Sequence, residues 1–338
     1  MRCTRQRAVI SWTLQLPSLL GEDLASLCPV AAQAAACRHF SNLGYDSRRD
    51  SVKTLRDSTF LVTGSTDGIG LHTAELLSQS GAIVFLHGRS LQKVKKTVKQ
   101  LRTHTHNPSI YGYCADLSTI EGTRNLANHI SRDLERFFHG RLNCLINNAG
   151  VFMEEKEITV DNLEMTWAVN TVSPFLLTHM LLPYLSDLGR IINCSSISLA
   201  DAIDLSKIQQ DAEYEREGHA AYGVSKLALN MWSYYLSRKL EQSGRRLVIH
   251  CVDPGTVSTK LLYAGWGEVS HVALLVEEAD DEFWAATAPE LQNTTGNYYV
   301  NRKARKSPEI SYDPQIQKQL VALLEKQTGI ASSFGCTI

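Results

Sequence analysis

The stretch TFLVTGSTDGIG, residues 59–70, sets the interpretation of the whole chain. Its first part, Thr59–Thr63, is apolar or β-branched and predicts a buried strand. Gly64, Gly68 and Gly70 follow, and an apolar helical pattern continues after them. A strand, a glycine turn and a helix in this order let the backbone approach a pyrophosphate, which the N–H groups of the helix start can bind. The stretch therefore predicts a dinucleotide-binding unit.

Further apolar runs alternate with helical patterns along the chain. They predict strands at Ile83–His87, Ile110–Cys114, Leu142–Ile146, Arg190–Ser196, Leu247–Val252 and Tyr298–Val300. Strands that alternate with helices form a mostly parallel sheet with helices on both faces. We therefore expect one doubly wound (Rossmann) α/β domain with a seven-stranded sheet, spanning residues 55–330.

The end of the second predicted strand bears on the choice of cofactor. At this position an acidic residue suits the 2′-hydroxyl of NAD, whereas an arginine suits the 2′-phosphate of NADP. The chain has Arg89 here and no acid. We expect NADP(H), with the hydroxyl of Ser65 assisting; the alternative is that Arg89 is an ordinary solvated residue opening the next helix.

Tyr222 and Lys226 stand four residues apart at the start of a helical pattern. This spacing places the phenol and the ammonium one turn apart on the same helix face. A nearby cation favours the phenolate and so lowers the pKa of the tyrosine, which makes it a usable acid. Tyrosine and lysine also occur at this spacing by chance, so the remaining motifs decide between the two interpretations.

Four more motifs occur in order along the chain. They are Asn147-Asn148-Ala149-Gly150 after the fourth strand, Asn170 inside a helix, Ser195-Ser196 at the end of the fifth strand, and Asp253-Pro254-Gly255-Thr256-Val257-Ser258-Thr259 after the sixth. Together with the Thr63–Gly70 spacing and the Tyr222–Lys226 pair, they resemble the single-domain branch of the short-chain dehydrogenases/reductases. The insertion between Ser196 and Tyr222, which contains Asp204, Ile208, Asp211, Glu213, Glu215 and Glu217, and the segment Gly296–Val300 are similar to the retinol dehydrogenases and the WW-domain-containing oxidoreductase.

The resemblance implies a catalytic tetrad of Asn170, Ser196, Tyr222 and Lys226. Ser196, favoured over Ser195, would donate a hydrogen bond to the substrate oxygen, and Tyr222 would transfer the proton. Lys226 would hold the nicotinamide ribose and, with the positive ring, lower the tyrosine pKa. Asn170 would bend its helix and hold a water that links the lysine to solvent; the alternative is a bonded core amide.

The resemblance also implies a set of cofactor contacts besides Tyr222 and Lys226. They are Gly64, Ser65, Asp67, Gly68, Ile69 and Gly70 in the turn, Arg89, Asp116 and Leu117 beside the adenosine, Asn148, Ala149 and Gly150 beside its ribose, and Pro254, Gly255, Val257 and Thr259 around the nicotinamide. Asp116 can also be interpreted as a helix N-cap. Residues 260–276, including Trp266 and His271, would form a mobile substrate lid.

These expectations combine into a function. We expect an NADP(H)-dependent oxidoreductase that interconverts an alcohol and a carbonyl, with a lipophilic aldehyde, ketone, retinoid or steroid as the small-molecule substrate. The alternative is a cofactor-binding regulatory or assembly protein on the same fold, since fold alone does not determine function. A homodimer is possible, because members of the family often pair through their long helices.

Composition excludes some classes of partner. The chain has 338 residues and a net charge of -1, so it has no general attraction to nucleic acid. None of its eight cysteines forms a C-x-x-C pair, and we expect no metal site. Cys114, Cys144, Cys194 and Cys251 lie in or beside apolar runs and are predicted to be small buried residues of a reduced compartment.

The two ends of the chain differ from its centre. Residues 1–50 are biased toward arginine, and Arg38-His39-Phe40 precedes Ser41, which resembles a mitochondrial presequence and its cleavage site. A mitochondrial location is therefore our first expectation, with a cytoplasmic or membrane-associated protein, or a disordered tail, as alternatives. No apolar run reaches transmembrane length. Residues 331–338 are predicted to be a loose tail.

Overall fold

A computed structural model describes residues 55–208, 218–267 and 273–331. The predicted leader, the cleavage site, and the tail after Ala331 lie outside these residues. So do His271 of the predicted lid and the four acidic residues 211–217 of the insertion.

An eight-stranded sheet forms the centre of the domain. The strands are β1 (Thr59–Val62), β2 (Ile83–Gly88), β3 (Ile110–Cys114), β4 (Leu142–Asn147), β5 (Leu185–Cys194), β6 (Val248–Asp253), β7 (Asn297–Val300) and β8 (Lys303–Arg305). Their order is β3-β2-β1-β4-β5-β6-β7-β8, and every neighbouring pair is parallel except β7 with β8. The doubly wound fold is confirmed, with one strand more than expected.

The extra strand β8 gives no apolar signal in the sequence. All three of its residues are exposed, because it is the outer strand of the sheet. Asn301 and Arg302 connect it to β7 with φ values of 49° and 58°. Two successive residues with positive φ are typical of the tight turn of a β-hairpin, which short charged strands can follow at a sheet edge.

Helices cover both faces of the sheet. They are α1 (Gly68–Gln79), α2 (Leu91–Thr105), α3 (Ile120–Phe137), α4, α5 (His219–Gln242), α6 (Lys260–Trp266), α7 (Asp281–Thr287) and α8 (Pro314–Thr328). Helix α4 has three consecutive parts, an α-helical turn Met165–Trp167, a π-helical turn Ala168–Val172 and an α-helix Ser173–Leu181. Helix α8 packs along α5. No helix of the described residues has both the length and the apolarity to cross a membrane.

The burial of both faces of the sheet explains why the strands appear in the sequence as apolar runs. Val62, Leu86, Ile146 and Ile192 come from four neighbouring strands and are completely buried in one cluster. Strands with helices on both faces have no polar side. Cys144, Cys194 and Cys251 are buried as predicted. Cys114 is exposed, and it is the last residue of β3, which lies at one edge of the sheet.

Candidate active site

One cavity of about 1050 Å³ lies at the carboxyl ends of the central strands. Open α/β sheets bind their ligands at this edge. All but two of the predicted site residues line it: Gly64, Asp67, Gly68, Ile69, Gly70, Arg89, Asp116, Leu117, Asn148, Ala149, Gly150, Ser196, Tyr222, Lys226, Pro254, Gly255, Val257 and Thr259. Ser65 and Asn170 are the exceptions.

The glycine turn, residues 64–70, forms one end of the cavity. Gly64 has a φ of +65°, and a Cβ there would lie 2.9 Å from the Cα of Ala149. A Cβ on Gly70 would lie 2.2 Å from Nδ2 of Asn148, and that amide donates a 2.7 Å hydrogen bond to the carbonyl of Thr63. Only glycine therefore fits at these two positions, and the start of α1 is left open to the cavity.

The residues around this turn fit a dinucleotide. The N-terminus of α1 faces the cavity with its partial positive charge. Arg89, at the end of β2, and Lys93, in the first turn of α2, add two cations to the same wall. Backbone N–H groups and cations are what a pyrophosphate and a further phosphate require. Lys93 was not among the cofactor contacts expected from the sequence.

The prediction that the hydroxyl of Ser65 contacts the cofactor is wrong, because this side chain points away from the cavity. Its side chain is completely buried, and its hydroxyl donates to the carbonyl of Val62 at 2.8 Å and accepts from the N–H of His87 at 3.0 Å. The serine therefore joins β1 to β2 and does not face the cavity. The next residue, Thr66, lines the cavity instead.

His87 forms a hydrogen bond with the glycine turn. This role was not anticipated from the sequence. Its Nδ1 accepts a hydrogen bond from the N–H of Gly64 at 3.2 Å, and its Nε2 lies 3.1 Å from the carbonyl of Ala115. Burial lowers the pKa of His87 to about 4, so the ring is neutral and can accept at one nitrogen while donating at the other. The available signal was a histidine near the end of an otherwise apolar strand.

Asp116 lies on the cavity wall and is not a helix cap. Its carboxylate accepts from the N–H of Ser118 at 3.0 Å. Helix α3 begins at Ile120, and its N-cap is Thr119, whose hydroxyl accepts from the N–H of Gly122 at 2.9 Å. The alternative interpretation of Asp116 as a cap is therefore wrong.

Tyr222 and Lys226 lie together at the other end of the cavity. They are 5% and 2% exposed, and the Lys226 Nζ is 5.7 Å from the centre of the tyrosine ring. Lys226 also donates to the carbonyl of Cys194 at 2.7 Å, which fixes the ammonium at the end of β5. The expected spacing on one helix face is confirmed.

The pKa of Tyr222 differs from the expectation. Burial raises the pKa of the phenol above its usual value, although the Lys226 cation and a hydrogen bond with Ser196 act in the opposite direction. The expected lowering therefore does not hold for the protein by itself, because the cost of placing a phenolate in a dry site exceeds the attraction of one cation. At neutral pH the phenol carries its proton.

The two serines after β5 have different surroundings. Ser195 is buried, and its hydroxyl donates to Oδ1 of Asn230 at 2.8 Å. Ser196 is partly exposed in the cavity and forms a hydrogen bond with Tyr222. The preference for Ser196 therefore agrees with the geometry, since Ser196 can reach a molecule in the cavity.

Asn170 occupies the middle of the π-helical turn in α4. Its Oδ1 accepts from the N–H of Val151 at 2.8 Å, and its Nδ2 donates to the carbonyl of Val151 at 2.9 Å and to Oγ of Ser225 at 3.1 Å. Such turns often occur at functional sites. The described residues thus show a bonded core amide in a helix irregularity, which joins the fourth strand's loop to α5.

The lid begins with the α6 helix. Trp266 at its end packs against Phe152, His219 and Tyr222, with ring centroids 5.4, 4.9 and 5.7 Å apart. At the helix start, Lys260 forms an ion pair with Asp67 of the glycine turn. Helix α6, the described first part of the predicted lid, therefore contacts both ends of the cavity.

Comparison with known proteins agrees with this geometry. A sequence profile described as short chain dehydrogenase matches residues 58–265. Polyprenol dehydrogenase of Homo sapiens is 33% identical over 301 residues, covering 81% of this chain and 86% of that protein. Retinol dehydrogenase 13 of Mus musculus is 31% identical over 303 residues, covering 84% and 88%.

A solved structure supports the same conclusion. The angucycline C-6 ketoreductase LanV with bound NADP has a TM-score of 0.58 and 25% identity, covering 73% of this chain and 95% of that one. The profile match extends over more than half of the sequence and ends within α6, so it includes the glycine turn, Ser196, Tyr222 and Lys226. This protein is a member of the short-chain dehydrogenase/reductase family of oxidoreductases, in its retinol dehydrogenase group.

Proposed function

We propose that the protein is an NADP(H)-dependent oxidoreductase that interconverts an alcohol and a carbonyl compound, with Tyr222 as the proton donor and acceptor. The observation that carries this proposal is the arrangement of one cavity. A glycine turn with Arg89 and Lys93 forms one end, and Tyr222, Lys226 and Ser196 form the other. Both a phosphate-binding surface and an acid are thus within reach of one extended ligand.

The residues at the tyrosine end suit reduction of a carbonyl. A bound nicotinamide supplies or accepts the hydride in such a reaction. As negative charge develops on the substrate oxygen, Ser196 donates a hydrogen bond and Tyr222 delivers its proton. Because burial raises the pKa of Tyr222, the phenol is ready to donate at neutral pH, and alcohol oxidation is expected to gain speed as the pH rises.

Lys226 supports this chemistry from a fixed position. Its hydrogen bond to the Cys194 carbonyl holds the ammonium beside the Tyr222 ring, where it stabilises the phenolate after the proton has left. Its side chain also lines the cavity, so it can bind a cofactor ribose. Asn170 would act more indirectly, by holding the loop at Val151 and the α5 residue Ser225.

The choice of NADP(H) rests on charge. Arg89 and Lys93 stand where an adenosine 2′-phosphate would lie, at the end of β2. The ketoreductase LanV, which shares the fold and is 25% identical in sequence where the two structures align, was solved with bound NADP.

A lipophilic substrate is favoured by the walls near Tyr222. Val151, Ile197, Leu261 and Trp266 line this part of the cavity. Polyprenol and retinol, named in two relatives, are alcohols of this class. We propose that this chain acts on a substrate of that class, without naming a single compound.

The mitochondrial location and the homodimer stay predictions. Helix α8 packs against α5, so a dimer that pairs through α5 must use a part of that helix that α8 does not cover.

The proposal is tested by replacing Tyr222 with phenylalanine. The change keeps the ring packing but removes the proton, so turnover of aldehydes, ketones and retinoids with NADPH should fall by roughly 10³-fold. NADPH binding, followed by fluorescence titration, should be unchanged. The matched control is Tyr184→Phe, since Tyr184 is not among the described residues that line the cavity, and its hydroxyl donates a 2.7 Å hydrogen bond to Glu135.

Two results would contradict the proposal. Full turnover in Tyr222→Phe would remove Tyr222 as the acid. A wild-type protein that binds NADPH but reduces nothing in the panel would favour the regulatory or assembly protein.

A further inference from the structure

A buried acid lies behind the tyrosine end of the cavity, where the proposed mechanism makes no use of it. Glu282, in the first turn of α7, is completely buried. Its Oε2 accepts a 3.2 Å hydrogen bond from the hydroxyl of Thr73 on α1. Among the described residues, its Oε1 has no N–H or O–H donor within hydrogen-bond distance. A carboxyl group in this state is costly to bury, so the position is unusual for a purely structural residue.

A single residue, Cys194, separates the side chain of Glu282 from the cavity. The thiol of Cys194, at the end of β5, faces its carboxyl group. Cys194 itself lines the cavity, and its carbonyl accepts the hydrogen bond from Lys226. Cys194 therefore lies between Glu282 and Lys226. Because both charged groups are buried, water does not screen the attraction between the carboxylate and the ammonium.

We infer that Glu282 determines which oxidation state of the nicotinamide cofactor the site prefers, and that it does so in a pH-dependent way. This inference rests on the proposed function, in which the nicotinamide lies at the tyrosine end. The oxidised ring carries a positive charge and the reduced ring is neutral. An ionised carboxylate nearby therefore attracts the oxidised form and has little effect on the reduced one. A protonated Glu282 makes no such distinction.

The carboxyl can change its charge in the neutral range. Burial raises the pKa of Glu282 to about 7, while the Cys194 thiol, the Thr73 hydroxyl and the Lys226 cation act in the opposite direction. Below this pKa the acid is neutral; above it the negative charge is present. Binding of NADP⁺ relative to NADPH should therefore strengthen as the pH rises, and by linkage bound NADP⁺ should lower the pKa of Glu282.

The other charged groups around Glu282 limit the alternatives. Lys226 faces it from α5, the thiols of Cys144 and Cys194 from β4 and β5, and Asp281 precedes it in the chain. Burial raises the pKa of both thiols, so they stay neutral. Arg302 pairs with Asp281 and acts to lower the pKa of that carboxyl group, although burial raises it above its usual value. The two thiols therefore contribute no charge of their own while Glu282 titrates.

Asp253, at the end of β6, is the competing explanation. It is buried beside the cavity, and burial raises its pKa to about 6. Its carboxylate also interacts electrostatically with the Lys226 ammonium. A test must therefore separate the two acids.

The experiment measures the dissociation constants of NADP⁺ and NADPH for the full-length protein between about pH 6 and about pH 8.5. The adenosine phosphates are common to both forms, so their titration cancels in the ratio of the two constants. We expect the preference for NADP⁺ to rise about fivefold over this range in the wild type. Glu282→Gln, which keeps the shape of the side chain, should flatten the profile, whereas Asp253→Asn should leave the rise in place.

Thr73→Val gives a second variant that retains the acid. It removes the hydrogen bond that stabilises the ionised carboxylate, so the midpoint of the profile should move to higher pH. A ratio that is flat in the wild type, or a rise that persists in Glu282→Gln and disappears in Asp253→Asn, overturns the inference. Failure of both cofactor forms to bind would instead contradict the proposed function, so the two failures are distinguishable.

Discussion

The two ends of the cavity hold their chemical groups by different means. At the glycine turn the chain presents mainly backbone, and the shape depends on positions without a side chain, such as Gly64 and Gly70. At the tyrosine end the groups are side chains, and buried hydrogen bonds fix them: Lys226 on the Cys194 carbonyl, and Asn170 on Ser225. One end should therefore be sensitive to added volume, and the other to lost chemistry.

This difference also separates what each end contributes. Backbone N–H groups at a helix N-terminus favour phosphate, so in the proposed function the turn binds the cofactor and does not select the substrate. In the proposed function, the side chains around Tyr222 determine the reaction and the shape of the substrate that can approach it. Helix α6 joins the two ends, because it contacts Asp67 at one end and the Tyr222 ring at the other.

The largest effect is expected from added volume at the glycine turn. In Gly70→Ala the new methyl group would lie 2.2 Å from Nδ2 of Asn148 and 2.8 Å from the carbonyl oxygen of Gly64. Asn148 cannot yield freely, since its amide is bonded to Thr63. We expect NADPH binding to be lost and the free energy of unfolding to fall by about 1–3 kcal/mol.

Thermal unfolding and fluorescence titration with NADPH check this prediction. Gly150→Ala is the matched control for folding, because a Cβ there would meet its nearest neighbours, Asn170 Oδ1 and Lys226 Nζ, at an ordinary 3.4 Å. It should unfold at the wild-type temperature. NADPH binding by Gly70→Ala at wild-type affinity would show that the turn tolerates volume and would remove the contrast between the two ends.

The backbone end was the easier of the two to predict from sequence. Glycine spacing, strand length and the order of motifs are local properties, and they located the turn and all seven parallel strands. What was missed depends on burial and on partners distant in the chain. The direction of the Ser65 hydroxyl follows from its bonds to β2, and the raised pKa of Tyr222 follows from the dry environment.

Other features also had no local signal. Glu282 lies 209 residues from its partner Thr73, so nothing near it in sequence indicated a buried acid. Strand β8 has no apolar residues facing a core and gave no periodic pattern. The sequence therefore predicted which residues line the cavity more reliably than it predicted the electrostatics of the tyrosine end.

The next largest effect compares two neighbouring serines at the tyrosine end. Ser196→Ala should lower turnover by roughly 10²–10³-fold, because it removes a hydrogen-bond donor from the reacting oxygen. Its stability should change little, since the residue is partly exposed. Ser195→Ala should do the reverse: it leaves the buried Oδ1 of Asn230 without its donor and costs about 1–3 kcal/mol in the free energy of unfolding.

Steady-state kinetics and urea unfolding of both variants decide between these roles. Equal losses of turnover would show that the serines act as one structural unit. A larger loss of turnover in Ser195→Ala would assign the hydrogen bond to the wrong residue.

The smallest effect is expected at the rim of the glycine-turn end, where charge replaces shape. Arg89 is exposed, so water and salt screen its attraction for a phosphate, and the neighbouring Lys93 retains part of the positive charge. Arg89→Asp should therefore weaken NADPH binding by about 10- to 100-fold and leave NADH binding equal or stronger, which shifts the preference toward NADH.

The matched control is Lys95→Asp, which makes the same charge change on the exposed face of α2, away from the cavity. It should alter neither the NADPH nor the NADH dissociation constant appreciably. The loss in Arg89→Asp should shrink at high salt, as expected for a screened contact, whereas the defect of Gly70→Ala should not. A wild-type protein that prefers NADH, or an Arg89→Asp loss that salt leaves unchanged, would show that this rim does not select the cofactor by charge.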